Sequence, residues 1–173
     1  DLRHSIRTVT QGPFLFSDTV ENNIAFAMED RPEDWQEYFP SLLQQAALRE
    51  EVDKFPLQEQ TIVGEKGILL SGGQKQRISL ARAMATSCDL LILDNVLSAV
   101  DYETERYLLQ QIFARRQAKS LLIVSHRFTA VEKADWILVL DEGRIVAQGT
   151  HEKLLQQPGY YQAVSYTHLR AHE

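Results

Sequence analysis

A single cysteine, Cys88, stands among the 173 residues, which excludes a disulfide framework within the chain and suits a reducing compartment. Basic charge is not in excess. With 18 Lys and Arg against 24 Asp and Glu, the formal net charge is −6, so no positive field is available to attract nucleic acid. No apolar run approaches the roughly 20 residues that a membrane-crossing helix needs, no signal peptide is visible, and no internal repeat or low-complexity run stands out. A glycine-rich phosphate loop, Gly-x-x-x-x-Gly-Lys-Ser/Thr, is also missing: none of Lys54, Lys66, Lys75, Lys119, Lys133 or Lys153 has that setting. These residues therefore offer no such cradle for the α- and β-phosphates of a nucleotide, nor the lysine and hydroxyl that accompany it.

What is present centres on residues 69 to 78, Leu-Leu-Ser-Gly-Gly-Gln-Lys-Gln-Arg-Ile, and on the apolar run Leu90-Leu91-Ile92-Leu93 ending in Asp94. Ser71 stands where a helix should start, ahead of two glycines and a helix-compatible run from 74 to 85. A helix N-terminus built of small residues presents unpaired N–H groups to an anion. Glycine lets a phosphate come close, and the Ser71 hydroxyl adds a donor. The plain alternative is a serine N-cap on an ordinary surface helix. The run 90 to 93 reads as a strand buried on both faces, and Asp94 at its carboxyl end stands where α/β sheets bind ligands. An aspartate there commonly holds Mg2+ in nucleotide sites.

Residues 70 to 74 resemble the signature motif of ATP-binding cassette (ABC) proteins, and residues 90 to 94 resemble their Walker B strand. Three further matches follow in the family's order. Gln11, after Thr8-Val9-Thr10, resembles the Q-loop glutamine; Ser98-Ala99-Val100-Asp101 resembles the D-loop; Ser125-His126-Arg127 resembles the switch-histidine loop. The resemblance covers roughly residues 1 to 164. It implies an α/β fold, the P-loop NTPase-like ABC ATPase domain in part, with a parallel sheet core and a helical subdomain. It also implies ATP and Mg2+, with each of two ATP sites combining the Walker motifs and switch histidine of one subunit with the signature of another. On that pattern Ser71, Gly72, Gly73 and Gln74 contact the nucleotide, Asp94 and Gln11 serve Mg2+, Asp101 communicates across the dimer, and His126 reaches the γ-phosphate. Two plainer roles stay open: Asp101 as a cap for the helix starting near Tyr102, and His126 as a buried structural imidazole. His4, His151, His168 and His172 read as surface residues.

The branch of the family is indicated by residues 61 to 67, Thr-Ile-Val-Gly-Glu-Lys-Gly, which resemble the X-loop of exporters, where the acidic residue, here Glu65, lies near the membrane domains. Residues 14 to 25 are similar to the exporter pattern after the Q-loop, in the manner of multidrug-resistance-like half-transporters. Gly64 and Gly67 also fit a turn leading into a helix. In the family the phosphate loop precedes the Q-loop, so the resemblance implies that it lies before Asp1, as would any transmembrane helices. The expectation is a domain fragment that neither binds nor hydrolyses ATP well alone. Asn95 follows Asp94 where competent cassettes carry a glutamate. An amide has no titratable base and only orients water, so this half-site is expected to be slow. The resemblance then implies a heterodimer whose partner supplies the catalytic glutamate, at the cytoplasmic face of a membrane, exporting a small molecule, with a slow homodimer as the alternative. A soluble cassette of the translation or repair type and a catalytically silent interaction fragment are the rival functions.

Along the chain, residues 33 to 87 are rich in helix formers, with Ser41 as a cap before residues 42 to 48. Beyond residue 89, strands at 90 to 93, 121 to 124 and 136 to 140 alternate with helices at 103 to 117 and 129 to 133, the order of a parallel α/β core. Asp141-Glu142-Gly143-Arg144 signals a hairpin turn. Residues 165 to 173 match nothing expected at the end of such a domain and read as a foreign extension or a variable tail.

Overall fold

The apolar run before Asp94 does form a strand, β4 (Cys88–Asp94), and it is the middle of a three-stranded parallel sheet. Its neighbours are β1 (Ile6–Val9) and β5 (Ala118–Val124), in a register that pairs Val9 with Leu93 and Leu93 with Ile123. The computed structural model describes residues 5–114, 118–159, 161–163 and 165, which fall into two compact units, Asp1–Val124 and Ser125–Glu173. The sheet belongs to the first. Successive side chains on a strand point to opposite faces, so Val9, Leu91 and Leu93 share one face and are buried. The opposite face is open among the described residues of this unit: Ile6 is 37%, Leu122 48% and Val124 50% exposed. The expected burial of residues 90 to 93 on both faces thus holds for one face only.

The helices of the first unit are α1 (Val20–Ala25), α2 (Trp35–Gln45), α3 (Arg49–Val52), α4 (Gly72–Met84) and α5 (Tyr102–Ala114), with a 3-10 turn at Gln58–Gln60. Ile24, Leu42, Leu43, Leu48, Ile78 and Leu80 lie in the interior of this unit, each at most 1% exposed. At its edge the buried Glu21 carboxylate accepts from Trp35 Nε1 at 2.7 Å and Arg31 Nη1 at 2.9 Å, and also from Gln60 Nε2. Three donors compensate the cost of burying that charge. Ser41 is not a cap. The helix around it begins seven residues earlier at Asp34, because Trp35 and Phe39 bury one turn apart and extend the apolar stripe backwards; the Ser41 hydroxyl instead accepts from Gln45 Nε2 at 2.8 Å. A short antiparallel pair, β2 (Asp18–Thr19) with β3 (Ile62–Val63), joins the stretch after Gln11 to the loop carrying Glu65. Gly67 is required there by packing: a Cβ would lie 2.1 Å from the Ile62 carbonyl oxygen. No helix among the described residues is long and apolar enough to cross a membrane.

The second unit holds α6 (Phe128–Val131), the antiparallel hairpin β6 (Ile137–Asp141) and β7 (Arg144–Gly149), and α7 (His151–Gln156). The hairpin turns as the sequence predicts, with Glu142 and Gly143 both at positive φ, 46° and 75°, the conformation that suits a two-residue loop. Trp136 stays outside the strand and is 57% exposed. Phe128, Ile137, Leu154 and Tyr161 form the core. His151 is not a free surface residue: its Nδ1 lies 2.8 Å from the Tyr161 hydroxyl and its ring packs edge-on against Phe128. Its position at the first turn of α7 concealed this, because the partner comes from ten residues downstream. His4, His168 and His172 lie outside the described residues. Ser165, first residue of the unassigned tail, is buried and donates its hydroxyl to Gln162 O at 2.7 Å.

Burial, reinforced by Glu132, pushes the Tyr161 hydroxyl up from the ordinary 10 to about 12. The folded state therefore holds this proton more tightly than the unfolded chain, and the resulting stability is complete below pH 10 and is lost as pH rises through about 12. An ultraviolet absorbance titration of the protein should show one late-ionising tyrosine that disappears in Tyr161→Phe, and that variant should lose less stability than the parent over the same alkaline range.

Candidate functional site

The N-terminus of α4 is fixed by a reciprocal capping box. Ser71 Oγ accepts from the Gln74 N–H at 3.2 Å, and Gln74 Oε1 accepts from the Ser71 N–H at 2.9 Å. Such a cap stabilises a helix start by about 1 kcal/mol. It also assigns the orphan donors. The first-turn N–H groups of Ser71 and Gln74 are taken, leaving those of Gly72 and Gly73 with no intrahelical acceptor. Both sequence readings of Ser71 are therefore compatible: its oxygen caps the helix while its own hydrogen remains available to an acceptor.

The two glycines face different surroundings. A Cβ on Gly73 would lie 2.8 Å from the Ala99 carbonyl oxygen and 3.7 Å from a Val100 methyl. The helix start is thus packed directly against Ala99 and Val100. On Gly72 a Cβ would meet nothing within 4 Å, so one side of this turn is open. The folding of the chain has built an N–H-bearing, sterically empty surface beside the predicted D-loop.

Asp94 and Gln11 stand at the carboxyl edges of adjacent parallel strands. Val9 pairs with Leu93, so Asp94 and Thr10 come next in register, with Gln11 one residue on. The Asp94 carboxylate is exposed, and no hydrogen bond or ion pair to it is found among the described residues. Asn95 has φ 51°, a left-handed conformation that asparagine tolerates better than most residues. Its N–H donates to Val124 O at 2.8 Å, and its carbonyl accepts from Ser98 N at 3.3 Å and Ser98 Oγ at 2.8 Å. The backbone is pinned on both sides and the side chain is half-exposed. Gln11 is exposed, and its carbonyl oxygen accepts from Gln76 Nε2 of α4 at 2.9 Å.

Asp101 does act as a cap: Oδ1 accepts from the Thr104 N–H at 2.9 Å and Oδ2 from the Thr104 hydroxyl at 2.7 Å. These bonds to Thr104 hold its carboxyl below the usual carboxylate range. His126 belongs to the second unit. It is exposed, which removes the reading as a buried structural imidazole, and any site role rests on its place in the chain two residues past β5. Glu65 is exposed on the loop closed by Gly67. The structure therefore brings Ala99 and Val100 against the first turn of α4 and Gln11 against its second, with Asp94 at the end of the strand next to the one that leads to Gln11.

The donor set suits Mg2+ in part. Among the described residues no group of three or more His, Cys, Asp or Glu could hold a metal ion. A single unclaimed carboxylate with a neighbouring amide oxygen matches the way Mg2+ is held in nucleotide sites, through one or two protein ligands with phosphates and water completing the sphere.

Two contributors escaped the sequence reading. Arg82, on α4, donates Nε to Asn23 O at 2.7 Å, Nη1 to Phe14 O at 3.1 Å and Nη2 to Asn23 Oδ1 at 3.0 Å. Gln76 is the other. A signal existed: Gly73, Gln76, Leu80 and Ala83 recur at helical spacing on the buried side of α4, and a glutamine in that stripe needs a partner.

The model of the ABC transporter family matches residues 1–98. The chain is 44% identical over 162 residues to an ATP-dependent lipid A-core flippase of Pseudomonas fluorescens (strain Pf0-1), covering 93% of this chain and 26% of that protein. It is 42% identical over 159 residues to the multidrug resistance-like ATP-binding protein MdlA of Escherichia coli (strain K12), covering 92% of this chain and 26% of MdlA. Among solved structures, a bacterial Atm1-family ABC exporter with ATP bound superposes with a TM-score of 0.86 at 32% identity, covering 97% of this chain and 29% of that one. The chain thus spans about a quarter of the length of the relatives it matches. Its fold is that of an ABC ATPase domain, P-loop NTPase-like, and the chain belongs to the ABC transporter family.

Proposed function

We propose that this chain is part of the ATP-binding and ATP-hydrolysing domain of an ABC exporter, coupling ATP turnover at a dimer interface to export of a small molecule across a membrane whose cytoplasmic side it faces. The observation that carries the reading is the open side of Gly72 at a helix start where the Gly72 and Gly73 N–H groups have no acceptor among the described residues, with Asp94, likewise without a partner among them, at the carboxyl end of β4. That arrangement can receive a phosphate chain presented by another subunit. Ser71, Gly72, Gly73 and Gln74 would line the nucleotide held mainly by a partner. Asp94 and Gln11 would serve Mg2+ in this chain's own site, with His126 directed to the γ-phosphate and Asp101 holding the D-loop. When bound, Mg2+ neutralises phosphate charge; what this chain supplies is the oxygen ligands and their spacing.

Asn95 favours an asymmetric assembly. An amide at that position orients water without removing its proton, so the half-site built on Asp94 and Asn95 turns over slowly and a heterodimeric partner provides the faster one. The regions of Gln11 and Glu65, joined through β2 and β3, would contact the transmembrane domains. The names of the relatives, a lipid A-core flippase and a multidrug resistance-like protein, support an exporter over a soluble cassette of translation or repair. The isolated residues are expected to be inactive, because the phosphate loop is not among them. A photoreactive ATP analogue, mapped on the full-length complex, tests the reading at residues 70 to 74.

A further inference from the structure

We propose that Gln76 is a positioning residue for Gln11, setting the Mg2+ response of the site from the buried face of α4. The inference rests on the nucleotide-site reading above. Gln76 is 3% exposed; among the described residues its side chain holds one hydrogen bond, from Nε2 to the Gln11 carbonyl at 2.9 Å, while its Oε1 is buried with no partner among them. Only the amide nitrogen can donate to a carbonyl, so the orientation of the side chain follows from the contact itself.

Leaving a buried acceptor unpaired is costly. A leucine or methionine on this stripe would avoid that cost and pack as well, so local stability does not explain the glutamine. What the amide achieves is placement. It ties Gln11, two residues past β1, to the second turn of the helix whose first turn carries Ser71, Gly72 and Gly73. Six residues along the same helix, Arg82 takes the Phe14 carbonyl and Asn23. The stretch from Gln11 to Phe14 is therefore strapped at both ends to α4, through main-chain carbonyls whose positions do not depend on the side chains they carry. Gln76 holds the Gln11 backbone in place through its carbonyl, and a Gln11 side chain carried on that backbone would serve Mg2+ there.

The test uses the full-length protein in its complex, with a fluorescent ATP analogue titrated at increasing Mg2+ and again without Mg2+. Gln76→Met keeps the volume and removes the donor. The Mg2+ concentration for half-maximal enhancement of binding should rise about tenfold, the equivalent of one lost hydrogen bond, while Mg2+-free binding is unchanged and the unfolding temperature is equal or higher. A purely structural glutamine predicts the reverse, a lower unfolding temperature with an unshifted Mg2+ midpoint, and that result overturns the proposal. Gln76→Asn, one methylene too short to reach, should behave as Gln76→Met and covers the case of poor folding of the first variant. In a Gln11→Ala background the Gln76→Met effect should vanish; an undiminished effect there also overturns the proposal. If the parent protein binds nucleotide with no Mg2+ dependence at all, the site reading fails and takes this inference with it. Mg2+-dependent binding that Gln76→Met leaves unshifted sinks the inference alone.

Discussion

Gly72→Val should leave the unfolding temperature of the full-length protein essentially unchanged and lower ATP turnover of its complex by about 10²–10³-fold, the scale seen when a preorganised donor to a reacting group is lost. The stability half of this expectation comes from the empty space beside Gly72 and from the helix propensity of valine, which exceeds that of glycine. The activity half comes from the same space being where a phosphate chain has to enter. Gly73→Ala should give a contrasting pattern. Its Cβ would sit 2.8 Å from the Ala99 carbonyl oxygen, a contact that forces the helix start away from Ala99 and Val100 and costs about 1–3 kcal/mol. Turnover would fall there too, accompanied by a lower unfolding temperature. Finding that both variants lose stability equally, or that Gly72→Val retains full turnover, would remove the ligand-facing role of this turn.

Asn95→Glu is the second large effect. Supplying a carboxylate as general base should raise turnover at the slow half-site by about 10²–10⁴-fold. The same change should lower stability, because Asn95 has φ 51° and a residue less tolerant of left-handed backbone pays roughly 1–2 kcal/mol there. Activity and stability are thus predicted to move in opposite directions, measured by steady-state hydrolysis and thermal unfolding of the full-length complex with its partner unaltered. A loss of stability with no gain in turnover would show that Asn95 is not what limits hydrolysis.

The strand at 90 to 93, which the structure extends to 88 to 94, the cap at Ser71 and the turn at Glu142-Gly143 were legible in the sequence because each is determined by neighbours within a few residues. A short apolar run closed by a polar Asp fits a strand, and Ser-x-x-Gln closes on itself. Features set by distant partners were not legible. Ser41 looked like a cap until Trp35 and Phe39 extended α2 past it. Nothing in the sequence marks Glu21 for burial, yet it is held by groups 10, 14 and 39 residues away. His151 looked like a surface residue, and its partner is supplied from ten residues downstream. At the site, residue identity was enough to nominate Asp94, Gln11 and the signature, whereas the link from Gln76 to Gln11 spans 65 positions and exists only once the sheet and α4 are assembled. The left-handed backbone at Asn95 was equally hidden, since asparagine also fits ordinary extended backbone.

The most direct measurement of the central claim is photolabelling of the full-length complex with an ATP analogue that carries its reactive group on the γ-phosphate, followed by peptide mapping. The account predicts Mg2+-dependent label in this chain within residues 70 to 74, lost in Gly72→Val and competed by ATP. Label that is competed by ATP yet falls entirely outside those residues, and is unaffected by Gly72→Val, would contradict it.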